Sequence, residues 1–238
     1  MRQESENSQA FDQKVSDVCQ LYQRAHALYQ QGIHLISCDE KTGIQAIERE
    51  IVPMKTGRVE LRESEYIRHG TQCVIANFEV ATGKVIAPSI GESRTEADFT
   101  IHIAYTLQPD PRGEWIFLVD NLNIHKSASL VRLIAKTLQL DTSLGEKGKE
   151  GILKSLASRE AFLSTPDHRI RFVYLPKHTS WLNQVELWFS ILVRRLLKRL
   201  SVKSKYELNQ KIAAFIEYFN KTLAKPFQWT YTGRPLTI

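Results

Sequence analysis

Three segments of this 238-residue chain each bring one carboxylate to a defined place. They are residues 33–40 (IHLISCDE), 115–121 (WIFLVDN) and 175–190 (LPKHTSWLNQVELWFS). The first two read as buried strands ending in Asp39 and Asp120. The third reads as a strand end and loop entering a helix that carries Glu186. Functional groups of α/β sheets collect at the carboxyl ends of strands. Hard cations such as Mg²⁺ prefer carboxylate oxygens and keep several waters. A pair of such ions about 3.5–4 Å apart activates a nucleophile and stabilises the leaving oxygen of an in-line displacement. Two strand-end aspartates and a helical glutamate are what such a two-metal phosphoryl-transfer site needs.

Each carboxylate alone has an ordinary reading. The chain holds 26 acidic residues, and an aspartate at a strand end is a common turn or cap residue. Asp39 and Asp120 lie 81 positions apart (120 minus 39), so only the fold can unite them. Glu186 is less easily set aside. Placed at about 100° per residue, Leu182, Val185, Phe189, Leu192, Val193, Leu196 and Leu200 form one stripe, with Glu186 at its edge. A glutamate there loses hydration unless it gains a partner; a metal ion is one such partner, and a snorkelling or arginine-paired glutamate is the ordinary alternative.

Asn121, His125 and Asn183 are the polar neighbours expected around the metal-binding carboxylates. His125 follows Asp120 by five residues in DNLNIH; it contacts phosphate, orients a carboxylate, or caps the next helix. His178 in LPKHTSW has the same choices. Between Trp181 and Lys211 stand seven basic residues, opposed only by Glu186 and Glu207. Of these, Arg194, Arg195, Lys198, Arg199 and Lys203 are the expected DNA contacts, as a phosphate-backbone track; a solvated helix face is the alternative. No zinc finger, RNP motif or obvious helix-turn-helix is visible.

The positioning elements follow from periodicity. Residues 10–31 carry Phe11, Val15, Val18, Tyr22, Ala25 and Tyr29 at helical spacing, with Gly32 as a stop; this helix packs on the core or on a second copy of itself. A strand over 33–39 has 43–50 as its expected hairpin partner, and 53–70 reads as a loop. Strands 72–80 and 84–88 flank the turn Ala81-Thr82-Gly83. Residues 96–107 read as a helix and 115–119 as a central strand covered on both faces. Ser127 or Ser129 caps a helix to about Leu140. Residues 141–168 read as an insertion with a short helix near 151–162. A strand over 169–175 and helices over 181–200 and 205–224 follow. The order of three strands, helix, strand, helix, strand, helix predicts a mixed α/β sheet covered by helices, with an N-terminal helix or linker over 1–32, a main domain over 33–238 and a C-terminal helical extension.

Composition sets the class. Net charge is +6 and the pI near 9.2, which favours a polyanionic partner. Cys19, Cys38 and Cys73 are scattered without a CxxC pair, which disfavours structural zinc or a disulfide framework and fits a reducing cytoplasm. No run has the length of a membrane span, and the start MRQESENSQ is no signal peptide.

The motifs CDEKTGIQAIER, EYIRHGT, LVDNLNIH, LPKHTSWLNQVELWFS and PFQWTYTG resemble the DDE transposases of bacterial insertion sequences, specifically the IS-six-thirty type related to the mariner elements. DEKTGIQA and SWLNQVE are the specific parts. The resemblance implies a ribonuclease-H-like catalytic domain using two Mg²⁺ or Mn²⁺ ions. It implies nicking of double-stranded DNA at terminal inverted repeats and transfer of the freed strand to target DNA. Carried over residue by residue, the triad is Asp39, Asp120 and Glu186. Family members usually add N-terminal helix-turn-helix domains, whereas about 30 residues precede the first catalytic strand here; a separate helix-turn-helix protein and a homodimer are the partners this leaves open. The Asp120-to-Glu186 spacing of 66 (186 minus 120) exceeds that of the wider superfamily, and the excess falls in 141–168. A silent remnant that binds DNA and a nuclease without strand transfer are the competing readings.

Overall fold

The computed structural model describes residues 2–49, 51–52, 61–62 and 65–232. Apolar alternation in the first half and continuous apolar runs in the second build one five-stranded sheet. Its strands are β1 (Ile33–Glu48), β4 (Ile67–Glu79), β5 (Lys84–Gly91), β6 (Glu114–Val119) and β7 (Ile170–Tyr174), in the order β5-β4-β1-β6-β7. The short β2 (Ile51–Val52) and β3 (Leu61–Arg62) pair separately. The β4 and β5 strands are antiparallel to their neighbours, whereas β6 and β7 run parallel to β1. This mixed order is the ribonuclease-H-like arrangement that the sequence predicts.

Helices cover both faces. Against one lie α1 (Arg2–Gln30), α5 (Val185–Arg195) and α6 (Lys205–Thr222); against the other lie α2 (Glu96–Thr106), α3 (Ala128–Leu138) and α4 (Leu156–Leu163). The run Trp115–Val119 is buried throughout and splits its side chains between the layers: Ile116 and Leu118 face the first, Trp115, Phe117 and Val119 the second. Ser127 rather than Ser129 caps α3, its hydroxyl accepting from the Leu130 N–H at 3.1 Å. The predicted helix inside 141–168 is α4, opened by a capping box at Ser155. No described helix is long and apolar enough to cross a membrane.

Four expectations are corrected. Residues 43–48 are no hairpin partner; they continue β1 through a bulge between Lys41 and Ile44, where Gly43 takes φ 68°. The true partner is β4, which already starts at Ile67, so 67–70 is strand; residues 53–60 and 63–64 lie outside the described residues. The helix expected over 181–200 is broken into a 3-10 turn (Ser180–Leu182), α5, and a second 3-10 turn (Leu197–Arg199). In α1, Phe11 and Tyr29 are exposed, and Val15, Val18, Cys19, Tyr22, Ala25 and Leu28 pack on the core.

Residues 225–231 run as a strap over the α1 side. Phe227 stacks on the buried Phe78 with centroids 4.8 Å apart. Trp229 Nε1 donates to Cys19 Sγ at 3.5 Å, and its ring lies 4.8 Å from Tyr22. Tyr231 meets Trp181 edge-on at 5.5 Å. The strap passes so close to the β4–β5 turn that a Cβ on Gly83 (φ 70°) would stand 2.0 Å from the Lys225 carbonyl oxygen.

Candidate active site

Register brings the two aspartates together. The β1 and β6 strands pair from Ile33 with Glu114 to Ser37 with Leu118, a constant offset of 81 (118 minus 37). Asp39 and Asp120 continue that offset one same-face step further on. Side chains alternate along a strand, and neighbouring strands lie about 4.8 Å apart. Asp39 therefore belongs to the face carrying Leu35, Ile116 and Leu118, beneath α1 and α5, and Asp120 follows the end of β6 at the same offset. Asp39 is not at a strand end as expected: β1 runs on and pairs Asp39 with Ala76 of β4. It stands instead where the β6 partner stops at Val119 and the parallel sheet opens. Asp39 is buried, whereas the Asp120 side chain is 37% exposed.

A buried hydrogen-bond cluster fastens the glutamate helix to the same place. Ser37 Oγ accepts from the Val185 N–H at 2.8 Å and donates to Asn183 Oδ1. Asn183 Nδ2 donates to the Cys38 carbonyl and to Asp39 Oδ2, each at 3.1 Å. From the other side, the Tyr22 hydroxyl of α1 donates to the Leu182 carbonyl at 2.6 Å. Glu186 thus enters in the first turn of α5, half-buried, at the helix end whose dipole favours negative charge.

Asp39 feels its acidic neighbours. Asp39 is pushed up to about 7, first by burial and then by the charges of Glu40, Asp120 and Glu186, against the opposing Glu40 N–H bond. Asp120 moves the other way. Burial raises it, but hydrogen bonds from His125 and the Leu122 N–H outweigh that and hold it below the usual carboxylate range.

His125 orients a carboxylate, one of its three sequence readings, and does so from the opposite face of the sheet. Its Nδ1 lies 2.8 Å from Asp120 Oδ1 and its Nε2 lies 2.8 Å from Glu40 Oε1. The ring is buried against Phe99. Burial pulls its pKa down, yet the Asp120 and Glu40 bonds carry it up to about 9, so both nitrogens donate as an imidazolium. Glu40 was missed by sequence reasoning. The available signal was period-2 alternation, which turns residue 40 toward the α2–α3 layer when residue 39 faces α5.

Asn121 serves as scaffold. Its Nδ2 donates to the Leu175 carbonyl and its Oδ1 accepts from Lys126 Nζ at 2.7 Å. The buried Lys126 also pairs with Glu160 of α4 at 2.7 Å and lies 4.5 Å over the Tyr174 ring. His178 is exposed in a turn with φ 62°. Arg194, Arg195, Lys198, Arg199 and Lys203 are all exposed at the end of α5 and beyond it, with Lys203 Nζ 3.6 Å from Glu48.

The three carboxylates offer oxygen donors, the kind a hard cation prefers. Among the described residues, no three His, Cys, Asp or Glu side chains converge closely enough to form a ready-made metal cage.

A model of the DDE superfamily endonucleases matches residues 34–209, most of the chain. No curated protein matches the sequence significantly. Among solved structures, the catalytic domain of Mos1 mariner transposase aligns with TM-score 0.50 and 11% identity over 87% of this chain and 81% of that one. The Mos1 catalytic domain with raltegravir and Mg aligns with TM-score 0.51 and 10% identity over 92% and 87%. Likeness at this identity speaks for the fold. The chain spans 57% of the longer Mos1 transposase chain found in a paired-end complex with the left transposon end, at TM-score 0.49 and 14% identity.

Proposed function

The chain belongs to the DDE superfamily endonuclease family, and from that premise we propose that it is a transposase catalytic domain of the IS-six-thirty type. In this reading, residues 33–238 cut DNA at insertion-sequence ends and join the freed strand to target DNA, with 141–168 as an insertion. The observation that carries it is positional. Asp39 and Asp120 share one register step on parallel neighbours, and Asn183, three residues before Glu186, is hydrogen-bonded to Asp39.

Asp39, Asp120 and Glu186 would hold one or two divalent ions, Mg²⁺ or Mn²⁺, with phosphate and water completing the shell. Such ions, when bound, activate the attacking hydroxyl and neutralise the leaving oxygen. The residues of the chain do the rest. Asp39 gives up the proton its neighbours encourage it to keep. Asn183 holds Asp39 Oδ2 in place and the Glu40 N–H holds its Oδ1, while His125 and the Leu122 N–H hold Asp120 Oδ1. The cations at the end of α5 would take double-stranded DNA along its phosphates.

The test is nicking of supercoiled plasmid in Mg²⁺ or Mn²⁺. Asp120→Asn is expected to abolish cleavage while leaving the fold and bulk DNA binding nearly intact, and full activity in that variant refutes the assignment. Supplying donor ends and looking for joined products separates a transposase from a nuclease without strand transfer.

A further inference from the structure

Two grooves border the exposed side of α5, and Glu186 lines the first of them. The first, about 550 Å³, is lined by Lys41, Glu186, Leu187, Phe189, Arg194 and Phe227, and it continues toward Arg195 and Lys225. The second passes between the β1 bulge and Val193, reaching Arg49 and Lys198. Lys41 borders both. Along these walls stand six basic side chains and one acid, Glu186 itself, a charge pattern that draws a polyanion toward the carboxylates.

The lining of the first groove is apolar. Leu187 is 44% exposed. Phe227 is half-buried, its ring held rigid by the stack on Phe78 with the planes 14° apart. Lys41 Nζ is steadied 5.9 Å over the Phe189 ring, at the mouth of the groove, with Arg194 further along. A duplex keeps its base faces inside the stack and has no use for an apolar floor. An unpaired strand offers base faces together with phosphates, and aromatic platforms beside cations are how proteins hold it.

We infer that this groove takes an unpaired nucleotide of the DNA strand beside the bond being cut. The base lies against Leu187 and Phe227, and its phosphate lies between Lys41 and Arg194. The inference rests on the proposed DNA cleavage for its choice of polyanion, but not on cleavage itself. It specifies that the enzyme works on a melted or frayed end, and that the groove holds the separated strand.

Fluorescence anisotropy without divalent metal tests it, using three labelled ligands: a blunt duplex, the same duplex with a short unpaired tail, and that tail with its bases removed. The tailed duplex is expected to bind at least about fivefold more tightly than the blunt one, and removing the bases to cancel the gain. Arg194→Ala and Phe227→Leu are each expected to erase most of the difference, whereas Lys154→Ala, a charge loss on the 141–168 segment, leaves it. Equal binding of blunt and tailed duplexes overturns the inference, as does a tail preference that survives in both groove variants. Because no metal is present, failure here and failure of the cleavage reading are separate results.

Discussion

Replacing Asn183 by alanine tests whether the glutamate helix is fastened to β1 through this one amide. Asn183 is 1% exposed and makes three side-chain bonds, to Asp39, the Cys38 carbonyl and Ser37. Alanine offers none of them, and water has no access to substitute. A neutral hydrogen bond is worth about 1 kcal/mol net and one to a charged group about 1.5–3, so the loss comes to roughly 3.5–5 kcal/mol. In a chain of this size each kcal/mol moves the melting temperature by about 2–4 °C. A fall of roughly 7–20 °C is expected from circular dichroism, toward the lower end because Asp39, already pushed up to about 7, sheds part of the penalty by taking a proton. Asn183→Asp is the companion variant. It keeps an acceptor for Ser37 but sets a second carboxylate against Asp39. Both acids are then raised, and a raised carboxyl loses stability as pH climbs through its folded value. The Asn183→Asp variant is therefore expected to lose more at pH 8 than at pH 5. A melting temperature within about 2 °C of wild type in Asn183→Ala, or an Asn183→Asp variant indifferent to pH, refutes the reasoning.

Other outcomes follow from the same geometry. In its proposed metal-binding role Asp39, pushed up to about 7, has to give up its proton, so Mg²⁺-dependent cleavage is expected to rise about tenfold from pH 6 to pH 8; a flat profile in single-turnover assays contradicts this. His125→Ala takes from the buried Glu40 its hydrogen-bond partner, leaving the Arg94 guanidinium 3.8 Å from its Oε2, and is expected to cost about 3 kcal/mol in urea unfolding. The folded pKa of His125 is raised from 6.5 to about 9. Its contribution in the wild type is therefore complete below pH 6.5 and fades as pH climbs to 9, which melting curves across that window will show. Gly83→Ala places a methyl against the Lys225 carbonyl at a left-handed φ. It is expected to cost about 1–3 kcal/mol and to speed hydrogen exchange in residues 225–231.

The sheet was legible where one strand meets one pattern. The Trp115–Val119 run is apolar on every residue because both its faces are covered, and the sequence says so directly. The length of β1 was hidden by Lys41, Thr42 and Gly43, which look like a turn. The strand crosses them as a bulge, and the buried Ile44 and Ala46 beyond it were the surviving sign of alternation. The break before α5 was invisible because Leu182 keeps helical phase with Val185 although it sits in a 3-10 turn. Of the candidate site, the three proposed carboxylates stood out by residue type and motif. Asn183 and His125 beside them were legible too, but Ser37 and Glu40 were not, because they look like ordinary strand residues until a distant segment arrives to bond with them.

Under the proposed catalytic role of Asp39 and Asp120, the shared offset of 81 between β1 and β6 makes competence all-or-none in each molecule. A slip of one residue in that pairing would turn the Asp120 position to the opposite face of the sheet, away from Asp39 and Glu186. On that proposal a misregistered chain is not a slower catalyst; it contributes nothing. In any preparation, the burst amplitude of a first turnover therefore counts the correctly paired molecules, while the rate of that burst describes the chemistry. A variant that disturbs the β1–β6 ladder should shrink the count without changing the clock.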